Sequence, residues 1–209
     1  MEEQKYGYSP TMIVYIVLVI VTAVKVNSKE LCPRVCTCFS DYVTCRNVFS
    51  DVPNMTQEIF HSSFRMLRVT GITRLDLEED LFLRWNITSL TQLNLSQNYI
   101  TKIWQKAFYS LVDLEVLDLS GNSITTVDSQ TFYNNTGLVS LSLARNSITD
   151  IQQSTFQTNI QLNNLCMSGN KITSLHADLF KNSEKLKWVE LADNMITESI
   201  RQHFEITAS

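Results

Sequence analysis

The chain has 209 residues, of which 44% are hydrophobic and 18% are charged, and its formal net charge at pH 7 is -4. A mildly acidic chain without a stripe of lysines and arginines gives no basis for electrostatic binding of nucleic acid or heparin. The sequence also lacks the G-x-G-x-x-G, H-E-x-x-H and G-x-S-x-G motifs. It therefore predicts no enzyme, cofactor, metal site or small-molecule substrate.

An uncharged apolar segment near the N-terminus covers residues 12–24 and reads MIVYIVLVIVTAV. It is shorter than the roughly 20 residues that span a bilayer, and its length is typical of a signal-peptide core. We therefore predict that residues 1–28 form a signal peptide, cleaved after Ala23 or Ser28. The protein is then secreted or lies on the extracellular face of the plasma membrane. Two glutamates replace the usual positive flank, which leaves a signal anchor as an alternative.

Four cysteines follow at the spacing C-x3-C-x-C-x6-C, and they are Cys32, Cys36, Cys38 and Cys45. Residues 29–53 are too few to hold a core of their own, so we expect disulfides to staple them into a cap for the N-terminal end. Four cysteines allow three pairings, and spacing alone does not choose among them. A zinc site is the alternative, but the histidines lie far along the chain, and a secreted protein favours oxidation.

Residues 54–89 follow a repeat pattern loosely, as terminal units of a repeat array often do. Leu67 and Val69 alternate with polar residues and predict the first strand of this region. Three adjacent carboxylates, at positions 78–80, invite a metal-binding interpretation. We interpret them as a solvated surface loop, because no further ligand group is spaced to join them.

Residues 90–209 contain five units with a period of 24 residues. The units follow the pattern L-x-x-L-x-L-x-x-N-x-I, in which Met167 replaces one leucine of the fourth unit and Val189 one leucine of the fifth. The leucines that open the units are Leu90, Leu114, Leu138, Leu162 and Leu186. A phenylalanine closes each unit, at Phe108, Phe132, Phe156, Phe180 and Phe204. The L-x-L alternation predicts a short strand with its leucines in the core. The asparagine is expected to turn the chain, and the phenylalanine to fill the far side of the coil.

These columns resemble the leucine-rich repeat family. The resemblance implies an α/β repeat solenoid, a horseshoe with a parallel sheet on its concave face. The run C-P-x-x-C-x-C-x6-C, which begins at Cys32, is similar to the N-terminal cap of extracellular members. That resemblance implies the disulfides Cys32–Cys38 and Cys36–Cys45.

Function is expected on the outward positions of the strands, because a rigid solenoid offers a large preformed surface there. The predicted ligand-binding residues are Val116, Asp118, Ser140, Ser142, Asn164, Cys166, Trp188 and Glu190. Exposed tryptophan is a common binding anchor, although Trp188 is also explained as a half-buried residue at the end of the array. The fifth cysteine, Cys166, is an inert thiol or a bridge between chains. It is not expected to meet His176 or Asp178 in a catalytic set.

Four N-x-S/T sequons agree with secretion, and they begin at Asn54, Asn86, Asn94 and Asn134. Asn94 lies between two strand leucines, so a glycan there would shield one end of the concave face.

No second cysteine cluster follows the fifth unit. We therefore expect an uncapped end, which belongs to the truncated ectodomain of a receptor or forms a dimer contact. The predicted function is binding of a protein ligand, or of another cell-surface protein, in recognition, adhesion or signalling. The alternatives are a secreted matrix-organising protein and an immune recognition module of the Toll-like or variable-receptor kind.

Overall fold

The structure is a computed structural model, and it describes residues 24–26, 30–32, 36–46, 64–71 and 75–196. Most of the predicted signal peptide, the sequon at Asn54, Phe204 and the predicted C-terminal dimer contact lie outside these residues. No helix in the part of the chain that the structure describes is long and apolar enough to cross a membrane.

Twelve short strands and one helix make up the regular structure of the described residues. In chain order the strands are β1 (Val24–Val26), β2 (Glu30–Cys32), β3 (Cys36–Cys38), β4 (Tyr42–Arg46), β5 (Met66–Thr70), β6 (Leu75–Leu77), β7 (Gln92–Asn94), β8 (Ile100–Ile103), β9 (Val116–Asp118), β10 (Ser140–Ser142), β11 (Asn164–Cys166) and β12 (Trp188–Glu190). The helix, α1, covers Leu81–Arg84. The remaining turns of the coil are built from hydrogen-bonded turns, so helix contributes little to this solenoid.

The main sheet has eight strands in the order β12-β11-β10-β9-β7-β5-β4-β3. Every pair is parallel except β3 with β4, which form an antiparallel hairpin at the N-terminal edge. The inward leucines of β7, β9, β10 and β11 lie in register with one another. This parallel solenoid confirms the predicted fold class, in which each turn of the coil covers the apolar face of its neighbour.

The cap is joined to the sheet through β4, which pairs with β5 over five residues. A disulfide links Cys36 to Cys45 across the hairpin, as the family resemblance implies, and it excludes a zinc site made from these two thiolates. Cys38 is also disulfide-bonded. The side chain of Cys32 lies outside the described residues, so the Cys32–Cys38 pairing stays a prediction.

The asparagine column forms a buried ladder that joins successive turns. At Asn146, Nδ2 donates to the carbonyl oxygens of Leu119 and Leu143, both at 3.0 Å, and Oδ1 accepts the backbone N–H of Ile124 at 3.0 Å. Asn122 and its equivalents at 170 and 194 repeat this pattern. One side chain thus satisfies backbone groups that the bend leaves without strand partners.

The phenylalanine column forms a continuous stack on the far side of the coil. The successive rings of Phe82, Phe108, Phe132, Phe156 and Phe180 have centroids 5.9 to 6.3 Å apart. Beside the stack lies a second buried polar column that the sequence analysis did not identify. Nδ2 of Asn135 donates to the carbonyls of Phe108 and Leu111 at 3.0 and 2.7 Å, and Nδ2 of Asn159 makes the equivalent bonds one turn later. These bonds tie the turns together where α-helices are absent.

The bend before each ladder asparagine requires left-handed backbone. The five residues at this position have φ between 53° and 66°, and they are Gln97, Gly121, Arg145, Gly169 and Asp193. Glycine adopts this conformation without strain, whereas a Cβ costs energy there. Only two of the five units use glycine, so the ladder holds the other three in the strained form.

Candidate ligand-binding face

The outward side chains of β4, β5, β7 and β9–β12 form one surface, which we call the sheet face. Across β9–β12 the backbone register forms a first row of Val116, Ser140, Asn164 and Trp188 and a second row of Asp118, Ser142, Cys166 and Glu190. The structure therefore brings all eight predicted ligand-binding residues together on four adjacent strands. Their role in binding stays a prediction.

Trp188 is the large apolar group at the C-terminal end of this surface. Its side chain is 45% exposed, and its cross-strand neighbour is Asn164. An exposed tryptophan on a rigid strand loses little conformational entropy on binding, which suits it as an anchor. The middle of the face, at Ser140 and Ser142, is made of small side chains that are half-buried.

The second row contains a hydrogen-bonded pair that connects two strands. Nδ2 of Asn94 donates to Oδ2 of Asp118 at 3.2 Å, and the backbone N–H of Ser120 donates to Oδ1 of the same carboxylate at 2.9 Å. Oδ1 of Asn94 accepts from the backbone N–H and the hydroxyl of Ser96, at 3.0 and 2.8 Å. Both side chains are therefore held in one orientation by their own chain.

Cys166 continues the row and is the free cysteine of the described residues. Its thiol donates to Oε2 of Glu190 at 3.1 Å and lies 3.3 Å from the hydroxyl of Ser168. Burial raises the pKa of the thiol, and the carboxylate of Glu190 raises it further, against the lowering effect of the hydrogen bonds from Ser168. A raised pKa reduces the thiolate population, so this cysteine is a poor nucleophile at neutral pH.

The other two residues considered for catalysis are not part of the sheet face. His176 and Asp178 lie in the turn that follows β11, where the backbone N–H of Asp178 donates to Nδ1 of His176 at 3.2 Å. Neither residue has a hydrogen bond with Cys166 in the part of the chain that the structure describes. Among the same residues no group of three histidine, cysteine or acidic side chains is arranged to hold a metal ion.

The sequence analysis correctly predicted a strand at Leu67 and Val69, which is β5, but it did not assign the outward residues of β4 and β5 to the sheet face. The 24-residue period begins at Leu90, so it does not reach β4 and β5, although their alternation of buried and outward residues is regular. The register nevertheless continues both rows. Tyr42 and Met66 extend the first row, and Thr44 and Arg68 extend the second.

Three sequons fall on described residues. Asn86 is exposed at the end of the turn after α1 and has left-handed backbone. Asn134 is partly buried, and its Nδ2 donates to the carbonyl of Tyr109 at 2.7 Å. Asn94 projects onto the sheet face as predicted, but its amide is already bonded to Asp118. Asn86 is therefore the most accessible of the three.

Comparison with known families gives a match to the leucine rich repeat model at residues 88–147 and 136–196. The two segments together cover just over half of the 209 residues. No curated protein sequence matches the chain.

Solved structures give many matches, 354 chains in all. The protein of the TLR13-ssRNA13 complex is 28% identical, with a TM-score of 0.66 over 78% of this chain and 23% of that chain. The APL1 leucine-rich repeat domain is 21% identical, with a TM-score of 0.66 over 74% of this chain and 42% of that chain. The chain thus spans less than half the length of either protein, and the second comparison bears on the fold alone.

Proposed function

Because the chain belongs to the leucine-rich repeat family, we propose that it is an extracellular module that binds a protein ligand on its sheet face. The observation that carries this proposal is the contrast within each strand. Inward positions repeat from turn to turn, whereas their outward neighbours differ in charge, size and polarity. Residues on this exposed surface are free of packing constraints, so they can vary to suit a ligand. The surface of a repeat solenoid is also rigid and preformed, so it needs no rearrangement to bind.

The residues that the structure describes contain no clustered catalytic set, which supports binding rather than chemistry. Leucine-rich repeat proteins are typically interaction modules, and the one described thiol on the sheet face, Cys166, has a raised pKa. We therefore propose that the chain is not an enzyme and needs no cofactor. Its ligand is a secreted or cell-surface protein.

A binding screen with a matched pair of variants tests this proposal. The chain, displayed as a tetramer, is screened against secreted and cell-surface ectodomains from the same source. Every ligand found is then measured against Ser142→Arg, at the centre of the sheet face, and Thr149→Arg, exposed on a different side of the same unit. Arginine at 142 is expected to weaken binding by about tenfold or more, because a long charged side chain blocks the middle of a buried interface. Loss of binding with arginine at 149 but not at 142 would contradict the proposal.

We also propose secretion and N-glycosylation at Asn86. The Cys36–Cys45 disulfide requires an oxidising compartment to persist, and among the three sequons that the structure describes Asn86 is the exposed one. Expression in animal cells, followed by glycosidase digestion and mass spectrometry, should give a glycan mass that Asn86→Gln removes. An unmodified asparagine at 86 in secreted protein would overturn the glycosylation.

Similarity to the protein of the TLR13-ssRNA13 complex favours a second candidate, a Toll-like recognition module. Labelled single-stranded RNA is the direct probe. The acidic chain and the carboxylates of Asp118 and Glu190 on the sheet face predict no RNA binding at physiological salt. Binding that weakens steeply as salt is raised would instead favour RNA as the ligand.

A further inference from the structure

The N-terminal end of the sheet face differs from the rest in its side chains. It presents Arg46 and Arg68, both exposed, with Tyr42 and Met66 on the same two strands. Phe39, which is 47% exposed, stacks on Tyr42 with ring centroids 4.1 Å apart. We call these five residues the arginine end. Aromatic residues, methionine and arginine are the types that binding interfaces enrich. By contrast, β10 at the middle of the face presents only the small side chains of Ser140 and Ser142.

The two arginines are close enough to contact one ligand group. Arg68 pairs with Thr44 and Arg46 pairs with Thr70, so the arginines stand on neighbouring strands and are offset by two residues. This geometry separates their Cα atoms by about 4.8 Å across the sheet and about 6.6 Å along it. Both side chains project from the same face, and a guanidinium offers five N–H donors at the end of a long stem.

No acidic group of the chain neutralises these arginines within the described residues. The ion pair found there joins Arg84 to Glu78, away from the sheet face. Along the row of Arg68, the nearest carboxylate is that of Asp118, two strands away, and it already accepts bonds from Asn94 and Ser120. Asp41 ends the turn between β3 and β4, next to Tyr42, but makes no ion pair with either arginine. A pair of unneutralised cations on an acidic chain is complementary to an external anion.

We propose that the arginine end anchors the protein ligand through an acidic segment of that ligand. A carboxylate of the ligand binds Arg46 and Arg68, and an adjacent aromatic or large aliphatic side chain packs on Tyr42, Phe39 and Met66. This inference rests on the proposed function and specifies the ligand chemistry at one end of the same surface. It also places the sequon at Asn94 beside Arg68 in the sheet, so a glycan there would block the anchor.

A phage-displayed library of random peptides of about a dozen residues tests the proposal. The secreted chain is prepared as Asn94→Gln, which removes the blocking sequon, and is panned intact. Variant Arg46→Ser/Arg68→Ser removes the two charges, and Lys106→Ser/Lys171→Ser is the control, because it removes two exposed charges that are not on the sheet face. Thermal midpoints of the arginine and lysine variants are compared first in the shared Asn94→Gln background, and we expect them to agree because all four substituted arginines and lysines are exposed.

The enriched peptides are expected to contain aspartate or glutamate within two residues of an aromatic or large aliphatic side chain. Their affinity should fall by about tenfold or more in the arginine variant, because two charge-assisted hydrogen bonds are lost, and should change by less than about twofold in the lysine control. If Arg46→Ser/Arg68→Ser lowers the thermal midpoint, Arg46→Gln/Arg68→Gln replaces it, since glutamine keeps polar donors and length.

Three outcomes overturn the inference. Enriched peptides that lack acidic residues, or that bind the arginine variant normally, exclude the acidic anchor. If such peptides still lose affinity for Ser142→Arg, the sheet face binds ligands and only the anchor is wrong; if they do not, the proposed function fails as well. Retention on heparin at physiological salt, abolished by the arginine variant and without enrichment of any peptide, would assign the arginines to a sulfated glycan instead.

Discussion

The inward and outward positions of the same strands follow opposite rules. Four inward residues, Leu93, Leu117, Leu141 and Leu165, are identical and almost fully buried. Their outward neighbours one position earlier are Gln92, Val116, Ser140 and Asn164, which share neither size nor polarity. The inner side of every turn packs against a neighbouring turn of the same shape, so the same residue fits each time. The outer side has no such constraint, so its side chains can differ from turn to turn and can contact a ligand.

A ladder asparagine and a polar sheet-face residue show that the contrast is not one of polarity. The side chain of Asn146 is buried and its amide bonds to four backbone groups of its own chain, whereas Ser142 is half-buried and faces solvent. Polarity alone therefore does not distinguish structural residues from candidate binding residues. Burial does, because Asn122, Asn146 and Asn170 are buried whereas all eight predicted ligand-binding residues are half-buried or exposed.

Replacing Phe132 by alanine should cause the largest loss of stability. Its ring is fully buried and stacks on Phe108 and Phe156, at 6.0 and 6.3 Å. Truncation leaves a cavity in the middle of the column, with a cost of about 3–5 kcal/mol in the free energy of unfolding. Denaturant titration followed by circular dichroism measures it. Tyr133→Ala, at the exposed neighbour, is the control and should change the free energy by less than about 0.5 kcal/mol. Equal effects at 132 and 133 would show that the stack does not support the coil.

Replacing Asn146 by alanine should be the next most severe change. It leaves the buried N–H of Ile124 without a partner, and it removes one of the two asparagine bonds at each of the carbonyls of Leu119 and Leu143, which keep their bonds from Asn122 and Asn170. The expected cost is roughly 1–3 kcal/mol, because one buried backbone N–H loses its only compensation for desolvation. The same titration measures it, with Ser142→Ala as the control in the same unit. A loss below about 1 kcal/mol would mean that water replaces the ladder.

Replacing Trp188 by alanine should weaken ligand binding while leaving the stability of the fold almost unchanged. The side chain is largely exposed, so the free energy of unfolding should change by about 0.5 kcal/mol or less. Affinity for any ligand that covers the C-terminal end of the sheet face should fall by about tenfold or more, as expected for an interface anchor. The thermal midpoint and the affinity are measured on the same preparation. A clear drop in the midpoint would show that Trp188 is a packing residue of the last turn.

The reactivity of Cys166 should show the smallest effect. Because burial and Glu190 raise its pKa, the thiolate fraction at pH 8 is lower than that of an ordinary cysteine. Alkylation by iodoacetamide should therefore be slower in the native protein than in urea, with its pH midpoint above the ordinary value. Glu190→Gln removes one of the groups that raise the pKa, so it should shift the midpoint downwards. A native midpoint at or below the ordinary value would contradict the arrangement of these side chains.

The periodic part of the fold could be predicted from sequence because its causes are periodic. The leucines, asparagines and phenylalanines recur every 24 residues, and each recurrence marks one packing contact. The turns on the far side of the coil were harder to predict. Asn135 and Asn159 are fully buried, but the same position holds Leu111 in the preceding unit and Ser183 in the following one. Three chemically different residue types therefore fill one column, and the pattern is hidden.

The candidate site could be predicted only as far as the period reached. Alternation around Leu117 and Leu141 is enough to place Asp118 and Ser142 on one surface. Arg68 belongs to the same row, yet it lies 26 residues before Asn94 rather than 24, so extrapolation of the repeat does not place it. The pairing of β4 with β5 depends on backbone contacts between distant segments, which no short motif encodes.

A substitution scan with two readouts tests the central claim most directly. Every residue from 90 to 196 is varied in the chain displayed on a cell surface, and each variant is sorted for folded display and for binding of a ligand found in the screen. Because the inward positions hold the fold together, we expect substitutions in the leucine, asparagine and phenylalanine columns to reduce folded display. We also expect substitutions which reduce binding but not display to fall on the sheet face, among them Asp118, Ser142 and Trp188. Binding-specific positions on the turns around Tyr109 and Tyr133, with a tolerant sheet face, would contradict the central claim.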